Sequence, residues 1–128
     1  TCALPIYHLI PFQPREDPFG DEFDLHGDSN SSYDPAHAIE VGRMLEEHKF
    51  VYYEEPCEFD RWEENKQVRD ALSIPVALGE QEFSESRFRF MIRHEVAEIA
   101  QPDLFYYGGL VRSTRVARMA ATRSMPHP

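Results

Sequence analysis

Apolar positions in this chain fall into short runs separated by helical periods. Phe23-Asp24-Leu25-His26-Gly27 reads as a strand that delivers Asp28 at its end. Asp34-Pro35 then opens a helix, with an acid at the N-cap and proline at the first helical position, where the missing N–H has no intrahelical partner to lose. Ala38, Val41 and Leu45 give that helix one apolar face, and it runs to about residue 49. Phe50-Val51-Tyr52-Tyr53 is a β-branched and aromatic strand stopped by Glu54-Glu55-Pro56. Asp60 and Glu63, spaced as a capping box, predict a helix to about residue 72 with Trp62, Val68 and Leu72 on its inner face. Residues 74–78 form a buried strand ending in Gly79-Glu80, and Ser84 caps a helix carrying Phe88, Met91 and Ile92. Glu98-Ile99-Ala100-Gln101 is a shorter strand before Pro102-Asp103, and a helix from 110 to about 121 closes the series.

Strands that alternate with single helices imply an α/β fold with parallel strands and right-handed crossovers. An acid closes each strand: Asp28, Glu54, Glu80 and Asp103 follow one another at 26, 26 and 23 residues. In a parallel barrel such ends converge on one face, where acids read as functional. A doubly wound open sheet has the same local pattern, but Gly27-Asp28-Ser29-Asn30 is not its glycine-rich phosphate turn. Any one loop acid is ordinary; four in step are not. Carboxylates brought together repel unless a cation compensates, and an oxygen-only set favours Mg²⁺ over Zn²⁺.

Composition narrows the partners. Of 128 residues, 13 are Lys or Arg and 23 are Asp or Glu, for a net charge of −10, so the basic footprint that nucleic acid requires is missing. The 41% hydrophobic content is enough for a packed core and too much for a disordered acidic tail. Apolar runs are far too short to span a membrane. Cys2 and Cys57 make neither a disulfide framework nor a zinc site, and no signal-peptide pattern begins the chain, so a cytoplasmic location is expected. Residues 1–20, with Pro5, Pro11, Pro14 and Pro18, have no periodicity and read as an irregular leader to the domain at 21–128. Thr1-Cys2-Ala3-Leu4-Pro5-Ile6 resembles a translated sequencing adapter and no Met precedes it, so the leader is expected to be partly non-native; a genuine Pro-rich linker is the other reading.

Through Gly27-Asp28-Ser29-Asn30, Glu54-Glu55-Pro56, Leu78-Gly79-Glu80 and Gln101-Pro102-Asp103 with Gly108-Gly109, the chain resembles the enolase superfamily. Within it, the resemblance is to the mandelate racemase-like group of the mandelate racemase/muconate lactonising enzymes, over residues 23–125. It implies part of a (β/α)8 barrel, about four consecutive βα units, the third to the sixth. It also implies that Asp28, Glu54 and Glu80 ligate Mg²⁺, and that Asp103 orients a catalytic histidine from the seventh strand and raises its basicity. The muconate lactonising branch carries a lysine at the position of Asp103. Asn30 is implied to face the substrate or a metal-bound water; a place in an Asx-turn before the Asp34-Pro35 helix start is its other reading.

The implied activity is abstraction of the proton α to a carboxylate, with the cation neutralising the enediolate. Loss of water from a sugar acid is the first expectation, and racemisation or epimerisation of a hydroxy acid the alternative. The substrate is then a small carboxylate and the parent protein a homo-oligomer. Several parts of the family pattern are missing. The family's Lys-x-Lys motif is expected about 29 residues before Asp28, ahead of Thr1, and no lysine precedes Lys49; the dyad histidine belongs about 27 residues after Asp103, whereas His127 stands 24 after it and directly follows Pro126. A complete barrel takes about 250 residues. The chain as given is therefore expected to be an inactive half-barrel with open sheet edges. His26 is expected to pack or to touch a ligand rather than ligate, Glu55 to point away from the ion or to support its ligands from behind, and Cys57 to be no nucleophile. Tyr106 and Tyr107 border the open face, and Arg112, Arg115, Arg118 and Arg123 form a solvated helix side.

Overall fold

The computed structural model describes residues 24–123, in which strands and helices alternate. The elements are β1 (His26–Asp28), α1 (Pro35–Glu47), β2 (Tyr52–Glu54), α2 (Trp62–Ala71), β3 (Val76–Leu78), α3 (Glu85–Arg93), β4 (Ile99–Ala100) and α4 (Leu110–Arg123). The sheet order is β1-β2-β3-β4 and each neighbouring pair is parallel. This is the predicted α/β architecture, four βα units of a barrel. The leader, Phe23 and His127 lie outside the described residues.

The sheet is covered by two apolar clusters. Ala38, Leu45, Tyr53, Cys57, Val68 and Ile74 pack together from α1, α2 and the strands they flank. Val76, Leu78, Phe88, Met91, Val96, Tyr107 and Val116 form the second cluster beneath α3 and α4. All three residues of β3 are buried, as expected of an inner parallel strand covered on both faces. Register sets the orientation of the rest: His26 pairs with Tyr52 and Asp28 with Glu54, so these four share one side of the sheet. His26 stacks on Tyr52 with ring centroids 5.0 Å apart, which is the packing role expected of it.

The start of α1 follows the sequence closely. Asp34 Oδ1 accepts from the Ala36 and His37 amides at 3.0 and 3.1 Å, while Oδ2 lies 2.6 Å from His37 Nδ1. The His37 hydrogen bond holds the Asp34 carboxyl below its ordinary 3.8, and Asp34 in turn raises His37 above its ordinary 6.5. Asp34 therefore contributes stability above its ordinary value, lost as pH falls through its lowered one. His37 contributes fully below its ordinary value, and its share is lost as pH rises through the raised one. We expect Asp34→Ala to return His37 to the ordinary imidazole range in an NMR titration and to destabilise the chain most between pH 3.8 and 6.5. An unmoved His37 titration would show the pair to be idle.

Other helix starts differ from expectation. The Asp60–Glu63 capping box does not form: α2 begins with Arg61 at the N-cap, without a side-chain cap bond. Buried Asn65 anchors this loop instead. Its Nδ2 donates to the Glu58 and Arg61 carbonyls at 2.8 and 3.1 Å, and its Oδ1 accepts from the Cys57 amide at 3.1 Å. Ser84 occupies the N-cap of α3 but its hydroxyl makes no cap bond; the Phe83 and Ser84 amides donate to Glu82 Oε1. Trp62 does not share a face with Val68 and Leu72, since six residues of helix leave about 120° between it and Val68. It stacks on Phe90 at 4.5 Å in the α3 cluster, while Val68 and Leu72 join the α1 cluster. Nor is the arginine side of α4 simply solvated. Arg112 lies 4.4 Å from the Tyr107 ring centroid and donates to the Phe83 carbonyl at 3.1 Å, and Arg115 pairs with Glu85 at 3.7 Å.

Candidate metal and substrate site

Parallel strands in register bring their C-terminal ends to one rim, and the acids arrive there with them. Asp28 and Glu54 are Cα partners at the ends of β1 and β2. Glu80 follows β3 after Gly79, whose φ of +122° suits glycine and whose Cβ, if present, would stand 2.6 Å from Phe88 Cε1. Asp103 follows β4 and caps its own turn, with Oδ1 accepting from the Phe105 and Tyr106 amides at 2.8 and 2.7 Å. Glu54 is buried at 8% exposure, Glu80 and Asp103 are half-buried, and Asp28 is exposed.

Asn30 touches two of these acids. Asp28 Oδ1 accepts from the Asn30 amide at 2.8 Å, closing an Asx-turn in which Asp28 is the capping residue. The Asn30 side chain crosses to the loop after β3 and donates from Nδ2 to Glu80 Oε1 at 3.3 Å. Asn30, Glu80 and Gln81 line an open cleft of about 380 Å³, with Phe59, Phe83 and Tyr106 as its aromatic wall. Gln81, Phe59 and Phe83 were not singled out in the sequence. Gln81, directly after the third acid, carried the nearest signal. Of the two tyrosines, Tyr106 is exposed at this cleft and Tyr107 is buried in the core against Phe88.

Burial raises the Glu80 carboxyl above its ordinary range, and the charges of Glu54, Asp28 and Asp103 add to the effect. All four strand-end acids thus share one field. Among the described residues no lysine or arginine forms an ion pair with any of them. No group of three His, Cys, Asp or Glu side chains among the described residues is drawn together closely enough to hold an ion. The donor chemistry fits a hard divalent cation: uncompensated carboxylates with an amide between them. Burial pushes the Cys57 thiol up to about 12, in keeping with an inert cysteine. Glu55 is fully buried among these loops, and burial likewise raises its carboxyl. No described helix is long and apolar enough to cross a membrane.

The family model for enolase C-terminal domain-like proteins matches residues 15–128. The chain belongs to this family. L-talarate/galactarate dehydratase of Salmonella typhimurium is 31% identical over 121 residues, covering 94% of this chain and 30% of the relative. Among solved structures, a candidate racemase from Roseobacter denitrificans superposes with a TM-score of 0.79 at 45% identity, over 84% of this chain and 29% of that one. L-talarate dehydratase from Polaromonas sp. JS666, complexed with Mg and L-glucarate, gives 0.76 at 28% identity, over 85% and 31%. A mandelate racemase/muconate lactonizing enzyme-like protein from Roseovarius sp. TM1035 gives 0.76 at 35%, over 80% and 26%. This enolase-family chain therefore spans about 30% of the length of the relatives it matches.

Proposed function

We propose that this enolase-family chain is part of a Mg²⁺-dependent enzyme that removes the proton α to a carboxylate and dehydrates a sugar acid. The observation that carries the reading is the shared field at Glu80, into which four successive strand ends deliver acids. The sugar-acid dehydratases among its relatives supply the substrate class. Asp28, Glu54 and Glu80 are the residues that would hold the cation. When bound, it supplies the positive charge that an enediolate needs. Asn30 keeps Glu80 toward the Asp28 side of the rim and offers an amide to the cleft. Asp103 commits Oδ1 to its own turn, which leaves Oδ2 to accept from a histidine N–H, fixing its tautomer and raising its basicity. A base so placed takes the α-proton; loss of the β-hydroxyl as water then leaves an enol that tautomerises to the 2-keto acid.

A racemase or epimerase of a hydroxy acid is the second reading, favoured by the likeness to the Roseobacter protein. A reading from another class concerns the 128-residue chain by itself: a catalytically inactive half-barrel, favoured by its spanning about 30% of the length of its relatives. One experiment separates the three. The chain and the full-length protein are incubated with Mg²⁺ and a panel of aldonic and aldaric acids in D₂O, and the α-proton signal is followed by NMR. The full-length protein is expected to exchange and dehydrate one of them, and the chain to do neither. Exchange without dehydration would mark a racemase, and exchange by the chain would overturn the inactive reading. A full-length protein without either reaction would overturn the enzyme.

A further inference from the structure

Glu55 has no task in the mechanism above, yet its position is costly. It is 0% exposed, with a φ of +41° that a glutamate seldom adopts. Hydrogen bonds converge on it from both sides. Its Oε2 accepts from Ser31 Oγ at 3.2 Å and from Gln81 Nε2 at 2.7 Å. The Ser31 amide donates to the Glu55 carbonyl at 2.9 Å, and the Glu55 amide donates to the Ala77 carbonyl at 3.0 Å. Standing just after β2, Glu55 thus ties the loop after β1 to the loop after β3. Those two loops carry Asp28 and Asn30 on one side and Glu80 on the other. Oε1 is buried without a partner among the described residues, so the side chain is not there to satisfy its own polarity. An apolar residue would fill the space at lower cost, but it would remove the side-chain bonds to Ser31 and Gln81 and leave only the backbone ones.

We infer that Glu55 is a positioning residue: through Ser31 and Gln81 it sets the separation of Asp28 and Glu80, and with it the cation affinity of the rim. The affinity part rests on the metal reading above; the tethering part does not. Both are measured on the 128-residue chain with Mn²⁺ as the probe, by EPR, and by amide hydrogen exchange without metal. Glu55→Ala is expected to weaken Mn²⁺ binding about tenfold or more. It is also expected to speed exchange at Ser29, Ser31 and Glu82 while leaving Tyr53, in the middle of β2, unchanged. Glu55→Gln keeps an oxygen that accepts the same two bonds and should restore both properties to within about threefold. Gln81→Ala, at a half-buried side chain outside the apolar clusters, should shift both in the direction of Glu55→Ala even if that variant does not fold.

A Glu55→Ala chain like wild type in exchange, or a Glu55→Gln chain as impaired as Glu55→Ala, overturns the inference. If the wild-type chain takes up no Mn²⁺, the metal reading fails and the exchange measurements alone decide the tether.

Discussion

Replacing Glu80 with glutamine is expected to move cation affinity and fold stability in opposite directions. Glu80 is held at the rim at an electrostatic cost, because burial and the charges of Glu54, Asp28 and Asp103 all oppose its ionised form. Glutamine keeps the shape and an oxygen for the Asn30 amide while removing the charge, so the metal-free chain should melt at the same temperature or higher. A divalent cation held by Asp28, Glu54 and Glu80, as proposed, would lose one of three compensating charges. At contact distances, with an effective dielectric between those of a protein surface and bulk water, this weakens binding about 10- to 100-fold. Mn²⁺ titration and thermal melts in EDTA read the two effects separately. A lower melting temperature with unchanged affinity would make Glu80 a structural residue and sink the metal assignment.

Phe88→Ala should give the largest loss of stability. The ring is fully buried, meets Tyr107 edge-on at 4.9 Å and 78°, and lies beneath the Gly79 turn. Truncating such a ring costs about 3–5 kcal/mol, a large part of the roughly 5–15 kcal/mol that holds a domain folded. The urea midpoint should fall with little change in slope. Gly79→Ala probes the same contact from the other side. Its Cβ would meet both Phe88 Cε1 and Cζ, at 2.6 and 2.9 Å, on a backbone whose φ already disfavours a side chain. In the Phe88→Ala background the clash is gone and the backbone strain remains, so the double variant should lose less than the two single losses combined. Strict additivity would show that the ring is not what excludes a side chain at Gly79.

The parts of the molecule legible in the sequence are those set by local rules. Asp34-Pro35 specifies both cap and first turn, and α1 begins there. The acids were found through their step because one strand and one helix consume a nearly constant length of chain, and register then carries them to a common rim. What escaped depends on contacts across the fold. Asp60 looks like a cap, but the helix starts one residue later, after Arg61, and the loop is held by Asn65, whose side chain bonds the Cys57 amide and the Glu58 and Arg61 carbonyls. Arg112 looks solvated until Tyr107 and the Phe83 carbonyl are beside it. The bonds from Asn30 to Glu80 and from Gln81 to Glu55 join loops belonging to different units, and no periodicity along the chain encodes them.

The strand order bears on how the molecule comes into being. Among the described residues each strand pairs with the one immediately before it, so none of these ladders waits for a distant part of the chain. The loops to be closed are one unit long, which limits the entropic cost of closing each one, although parallel pairing across a whole helix is slower to form than a hairpin. During synthesis each unit can dock on its predecessor as it emerges, from β1 toward β4. Asp28 and Glu54 would meet first, with Glu80 and Asp103 joining a template already formed. The repulsion that Glu80 and Asp103 add then comes late in assembly, when the α1 and α2 cluster can already have packed.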